Sequence, residues 1–200
     1  VSYVSLTFRI DGSETEYTER DIPSHEFYDK MRAGAVAKTA AINAETFRAA
    51  FEAELKQGRD VLYLGFSSGL SATFNSARIA AQALEEEYPD RRVVTIDSLC
   101  ASAGFGLLVF LATEKRNEGA TLDELADYLK ATVPSICHWF TVDDLVYLKR
   151  GGRVSATTAF VGGMLNIKPI IHVDDEGRLV NVAKCRGRKA AMELLAEKLA

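Results

Sequence analysis

The sequence predicts an α/β protein: a parallel-sheet N-terminal domain followed by a smaller α+β C-terminal domain. Three observations predict this. Residues 61–66 (VLYLGF) form a short, almost unbroken apolar run, the pattern of a strand buried on both faces. A hydroxyl-rich loop and a helical stretch follow, and the strand–loop–helix order returns from residue 92 onward, as in right-handed βαβ units. Past residue 133 this order gives way to short paired strands, which puts the domain limits at 1–132 and 133–200.

Residues 3–10 alternate, with Val4, Leu6, Phe8 and Ile10 on one side, and Asp11-Gly12 follows as a hairpin turn. Ser24 stands where it can cap a helix containing Phe27, Tyr28 and Met31, which Gly34 would end. Residues 38–43 (KTAAIN) read as a polar loop, and Asn43 caps an amphipathic helix through Phe47, Phe51 and Leu55 that stops at Gly58. After the strand at 61–66, the loop Ser67-Ser68-Gly69-Leu70-Ser71 leads into a helix over 72–87. The strand at 92–96 closes on Asp97-Ser98, where the Asp carboxylate is suited to orienting a loop by accepting backbone N–H groups. Ala101, Ser102, Ala103, Gly104 and Gly106 are small enough to let the next helix pack closely, and Thr121 with Glu124 is a capping-box pair before another. In the second domain, residues 137–142 read as a strand and 143–149 as a short helix broken by Gly151-Gly152. Residues 170–173 and 179–183 flank Asp174-Asp175-Glu176-Gly177 as an antiparallel hairpin, and an amphipathic helix begins at Arg188.

Composition narrows the function. With 48% hydrophobic and 26% charged residues, the 200-residue chain can build a core without disulfides or a structural metal. Its net charge of -4 is mixed along the sequence, which lacks the basic stripe that nucleic acid demands. Cys100, Cys137 and Cys185 are too far apart for a disulfide framework or a CxxC metal pair, and read as small buried apolar residues in a reducing compartment. The apolar run at 105–112 is far shorter than the roughly 20 residues of a membrane span, so no stable membrane insertion is expected. The residues from Val1 onward read as a strand and not as a signal peptide, and the expected location is the cytoplasm.

The strongest chemical signal is the run from Ser67 to Thr73. It lies at the carboxyl end of a parallel strand, where ligands collect, and at the start of a helix, whose unpaired N–H groups favour an anion. Ser68, Ser71, Ala72 and Thr73 are the candidate contacts; an ordinary well-capped helix start is the competing reading. Thr39 could present a hydroxyl to the same crevice, or be a plain surface threonine. His25, His138 and His172 lack metal-binding spacing, and no GxSxG, GxxxxGK[ST] or GxGxxG pattern occurs, so the sequence marks out no catalytic or metal-binding residue. His138 and His172 read as structural histidines within strands. The basic runs at 149–153 and 184–189 suit phosphate or carboxylate, or form a solvated face.

Together these segments resemble the DegV family. The matching pieces, in order, are Ile10-Asp11-Gly12, Phe27-Tyr28, Lys38-Thr39, Ser67 to Phe74 (SSGLSATF), Ile96-Asp97-Ser98 with Ala101-Ser102 and Gly104, residues 148–155 (LKRGGRVS), residues 165–169 (LNIKP) and Arg186-Gly187-Arg188-Lys189. Departures are Ala40-Ala41-Ile42-Asn43 where the family usually has SQPS after KT, and Ala72 where glycine is common. By the family pattern an opening strand is missing ahead of Val1, and the second domain is truncated at its C-terminus. The resemblance implies a long-chain fatty acid held between two α/β domains, its carboxylate bound by Thr39 and Ser71. It also implies a carrier that is not itself an enzyme, without cofactor, presenting the acid to a separate kinase subunit of a bacterial fatty acid kinase. Arg150, Arg153, Arg186 and Arg188 are then candidate partner or phosphate contacts. Two other readings remain open: an enzyme that binds a phosphorylated metabolite at the SSGLS helix start, and an interaction module with no internal ligand.

Overall fold

The structure is a computed structural model that describes residues 1–143, 145–154 and 166–198. Ser155 and Leu165, which belong to two of the family segments, lie outside the described residues. By contacts the chain forms two compact units, one of residues 1–63 and 71–95 and the other of residues 64–70 and 96–200. Residue 133 falls inside the second of these. The sequence reading divides the chain where strand pairing changes style.

In the first unit, β1 (Phe8–Ile10) pairs antiparallel with β2 (Ala37–Thr39), and α1 (Ser24–Arg32) lies between them in sequence. The alternation from residue 3 produces a ladder only at Phe8–Ile10, and Tyr3 and Leu6 stay exposed. Gly12 and Gly34 take the positive φ that their turns require, 84° and 103°. Ser24 is not a cap. It is the first helical residue, because Pro23 fixes the entry conformation and no side chain caps α1. Asn43 does cap α2 (Ala44–Leu55), accepting the Thr46 N–H at 2.9 Å.

Phe47, Phe51 and Leu55, four residues apart on one face of α2, pack against Ala77, Ala80, Ala81 and Leu84 of α3 (Thr73–Glu87). The alanines let the helices approach, and the phenyl rings fill the gap. Fully burying a phenylalanine side chain is worth about 1.5–3 kcal/mol. Phe47 also meets Tyr63 edge-on, with ring centroids 5.0 Å apart.

Tyr63 belongs to β3 (Val61–Gly65), which pairs with β4 (Val93–Asp97). The Val61 N–H bonds to the Arg92 carbonyl and the Ser98 N–H to the Gly65 carbonyl. Partners rise together along both strands, so the pair is parallel, as the sequence predicts.

In the second unit, α4 (Ser102–Asn117) is followed by α5 (Leu122–Thr132), whose start is a complete capping box of Thr121 and Glu124. A three-stranded antiparallel sheet is ordered β5 (Trp139–Thr141), β6 (Ile167–Val173), β7 (Leu179–Arg186). β6 begins earlier than the apolar run at 170–173 suggests. Pairing of Ile167, Lys168 and Pro169 with the end of β7 extends it. The short helix α6 covers Val146–Arg150, and α7 (Arg188–Glu197) packs on the sheet. Leu108, Leu129, Ile170, Ile171 and Ala191 are buried.

Candidate functional site

The loop after β3 is built by hydrogen bonds that a hydroxyl-rich sequence can make and an apolar one cannot. In the second unit, Ser67 is fully buried. Its N–H donates to the Cys100 carbonyl at 3.0 Å. Its hydroxyl donates to the Gly177 carbonyl at 2.8 Å and accepts the Gly69 N–H at 3.1 Å. One carboxylate oxygen of Asp97 accepts the N–H groups of Ser68 and Leu99, at 3.2 and 3.1 Å, the loop-orienting work its place at a strand end suggests. The Leu70 N–H closes a turn onto the Ser67 carbonyl, and the Leu70 carbonyl accepts from Arg153 Nε at 3.1 Å.

In the first unit, Ser71, Ala72 and Thr73 start α3. Ala72 already has helical angles and offers no side-chain cap. Ser71 Oγ instead accepts the Thr73 N–H at 3.2 Å and lies 2.9 Å from Thr73 Oγ1. Thr73 is buried, and its hydroxyl also accepts the Ile42 N–H at 3.3 Å. That bond joins the KTAAIN segment to the helix start across 31 residues. Thr39 is three residues before Ile42, a separation of at most about 10 Å along an extended chain. It is not in a loop. It ends β2, opposite Phe8, and is exposed. Ser71 is half-buried, and Ser68 and Ala72 are exposed.

Electrostatically, the first turn of α3 contains no acidic residue, whereas α2 carries Glu45 and α5 carries Asp123 and Glu124 there. The positive end of α3 is therefore not offset by a carboxylate of its own first turn, and an anion is favoured at it.

The four arginines do separate things. Arg150 lies over the Tyr147 ring at 5.7 Å. Arg153 is bound to the carbonyls of Leu70 and Gly151. Arg188 reaches Asp143 at 3.5 Å, beside Lys168 at 3.1 Å. Lys168 is the chief cause of the lowered pKa of the Asp143 carboxyl. Arg186 is exposed at the end of β7. No described contact draws the four into one cluster.

His172 Nδ1 lies 2.9 Å from the His138 carbonyl, and His172 stacks on Trp139. The His138 ring sits against Gly104, where a methyl group would overlap it, and burial pushes its pKa below the usual histidine value. Among the described residues no group of three or more His, Cys, Asp or Glu is placed to hold a metal ion. No helix among them is long and apolar enough to cross a membrane. Sequence reasoning includes Ser67 in the hydroxyl run but misses its partnership with Gly177, which spans 110 residues and leaves no local pattern. It also misses the Ile42 N–H, a backbone group that composition cannot reveal.

The family model described as "Uncharacterised protein, DegV family" matches residues 1–200. A DegV domain-containing protein of Clostridium perfringens is 40% identical over 200 residues, covering 100% of this chain and 69% of that protein. A crystal structure described as a stearic acid-binding protein from Eubacterium ventriosum is 28% identical with a TM-score of 0.86, covering 98% of this chain and 69% of that one. A structure described as fatty acid binding by a DegV family protein from Thermus thermophilus is 32% identical with a TM-score of 0.82, covering 98% and 68%. The family model spans the whole chain and the Clostridium perfringens relative agrees with it: this chain belongs to the DegV family.

Proposed function

We propose that this protein binds a long-chain fatty acid, with Thr39 and Ser71 holding the carboxylate, and carries it to a separate kinase subunit. The observation that supports this most is the bond from the Ile42 N–H to Thr73 Oγ1, which is in turn 2.9 Å from Ser71 Oγ. Hydroxyl protons rotate to suit their surroundings. In the structure Ser71 donates to Thr73 Oγ1, which also accepts the Ile42 N–H; rotation of both hydroxyls reverses the first bond and turns the Ser71 proton towards an anion. Each bond in such a chain polarises the next. The helix start adds its positive end, and Thr39 a second hydroxyl from the adjoining segment.

The fatty acids named for the Eubacterium ventriosum and Thermus thermophilus structures support the choice of anion. The physical division of labour suits such a ligand. Each buried methylene contributes about 0.8 kcal/mol, so the tail supplies most of the affinity. A hydrogen bond to a charged group adds about 1.5–3 kcal/mol and decides which end is held. The kinase partnership rests on the family resemblance, with exposed Arg150, Arg186 and Arg188 as candidate contacts. Arg153 is already engaged with the loop that precedes Ser71.

Native mass spectrometry of the purified protein, followed by solvent extraction, tests the reading. A co-purified mass matching a long-chain acid is expected; a phosphate ester would favour a metabolite-binding enzyme instead. Ser71→Ala is expected to fold normally and to weaken oleate binding by about 10- to 150-fold, the equivalent of one charge-assisted hydrogen bond. Unchanged affinity in the folded variant would remove Ser71 from the site.

A further inference from the structure

We propose that the tip of the β6–β7 hairpin is a latch that sets the 67–71 loop for carboxylate binding, with Ser67 and Gly177 as its positioning residues. The proposal rests on the carboxylate reading above and extends it to residues that no ligand could touch. Ser67 is 0% exposed, so its hydroxyl is not a head-group contact. One of its bonds ties the loop to the hairpin, donated to the Gly177 carbonyl at 2.8 Å, and the other braces the loop itself, accepted from the Gly69 N–H at 3.1 Å.

The two glycines complete the fit. A methyl group on Gly69 would overlap the Glu176 carbonyl and come within 2.9 Å of Gly177 C. A methyl group on Gly177 would overlap Ser67 Oγ and come within 3.0 Å of the Leu99 Cα. Gly177 also has φ +73°, a conformation that L side chains rarely adopt. Backbone therefore meets backbone at the latch with no space between.

The hairpin tip is itself firm. The Asp174 carboxylate accepts the N–H groups of Glu176 and Arg178, at 3.1 and 2.8 Å, and pairs with the Arg178 guanidinium at 3.1 Å. On its other side the loop is tied to Cys100 and Asp97 through the Ser67 and Ser68 N–H groups. Leu70 then turns back on Ser67, and the next residue is Ser71. The contact with residue 177 thus sets the loop up to Leu70, the residue that precedes Ser71 in the chain. A binding group must be held to within about 0.5 Å by its supporting shell, and this latch is that shell.

The test compares wild type with Ser67→Ala, Gly177→Ala and the control Gly58→Ala. Gly58 has the same φ of +73°, but a methyl group there meets nothing within 4 Å. Each protein is titrated with oleate carrying 13C at its carboxyl carbon, read by affinity and by the carboxyl resonance, alongside a thermal melt. Ser67→Ala and Gly177→Ala are expected to bind at least about tenfold more weakly, with the carboxyl resonance moved, as misplaced binding groups do. Gly58→Ala is expected to melt lower and leave both readings unchanged. Latch variants that bind with wild-type affinity and an unmoved resonance overturn the proposal. Should Gly177→Ala not fold, Ser67→Ala decides by the same readings, since it introduces no backbone strain. A wild-type protein that shows no bound oleate resonance overturns the carboxylate reading and the latch together; altered variants alone bear on the latch.

Discussion

At the scale of single residues, the loop that carries the site also governs a thiol beside it. Cys100 is 1% exposed, accepts the Ser67 N–H with its carbonyl and gives its own N–H to Ser98 Oγ. Burial, and after it the nearby Asp97 charge, pushes its pKa up to about 11. A thiolate is the reactive form, so at pH 8 only about one Cys100 in a thousand is nucleophilic, and it is shielded as well. Cys137 is exposed and Cys185 half-buried. Iodoacetamide at pH 8 is therefore expected to modify Cys137 first and Cys100 last, the order read by peptide mass spectrometry. Early loss of the Cys100 thiol would mean that the loop opens readily in solution. The sequence reading of three buried cysteines holds for Cys100 and not for Cys137, because wide spacing argues against pairing but says nothing about exposure.

At the scale of elements, helix starts separate what a sequence displays from what it conceals. The Thr121 and Glu124 bonds close a capping box at α5, with the Thr121 N–H on Glu124 Oε2 at 2.9 Å and the Glu124 N–H on Thr121 Oγ1 at 3.3 Å. Thr121→Ala is expected to cost about 1 kcal/mol, or about 2–4 °C in melting temperature for a chain of this size, measured by circular dichroism. No change would mean that the loop before α5 satisfies its first turn in another way. This cap and that of Asn43 were legible because both partners lie within three residues of one another. Ser24 misled for the same local reason: its residue type fits a cap, but Pro23 brings it into the helix. The start of α3 was legible as a cluster of hydroxyls and illegible as a network, since the bond that joins it to Ile42 comes from 31 residues away.

At the scale of the whole molecule, the parallel strand pair and the β6–β7 hairpin follow from periodicity and turn residues, both properties of short stretches. The 110-residue contact of Ser67 with Gly177 follows from neither: Asp174-Asp175-Glu176-Gly177 reads as a turn whichever surface it meets. The glycine at 177 signals a positive φ, and only the fold shows that it also makes room for a serine hydroxyl. A ligand held by Thr39 and Ser71, which only folding brings to bear on one carboxylate, would bind the folded chain and not the unfolded one. It must then stabilise the fold by mass action, by about 2.7 kcal/mol when present at 100 times its dissociation constant. With about 2–4 °C per kcal/mol for a chain of this size, delipidated protein is expected to melt about 5–10 °C higher once oleate is restored at that excess. Ser71→Ala is expected to show a smaller rise at the same oleate concentration, because its weaker affinity lowers the occupied fraction. Calorimetry on delipidated and reloaded samples reads both shifts. A melting temperature indifferent to oleate over a hundredfold range would mean that the acid does not select the folded state, and the carrier reading would fail with it.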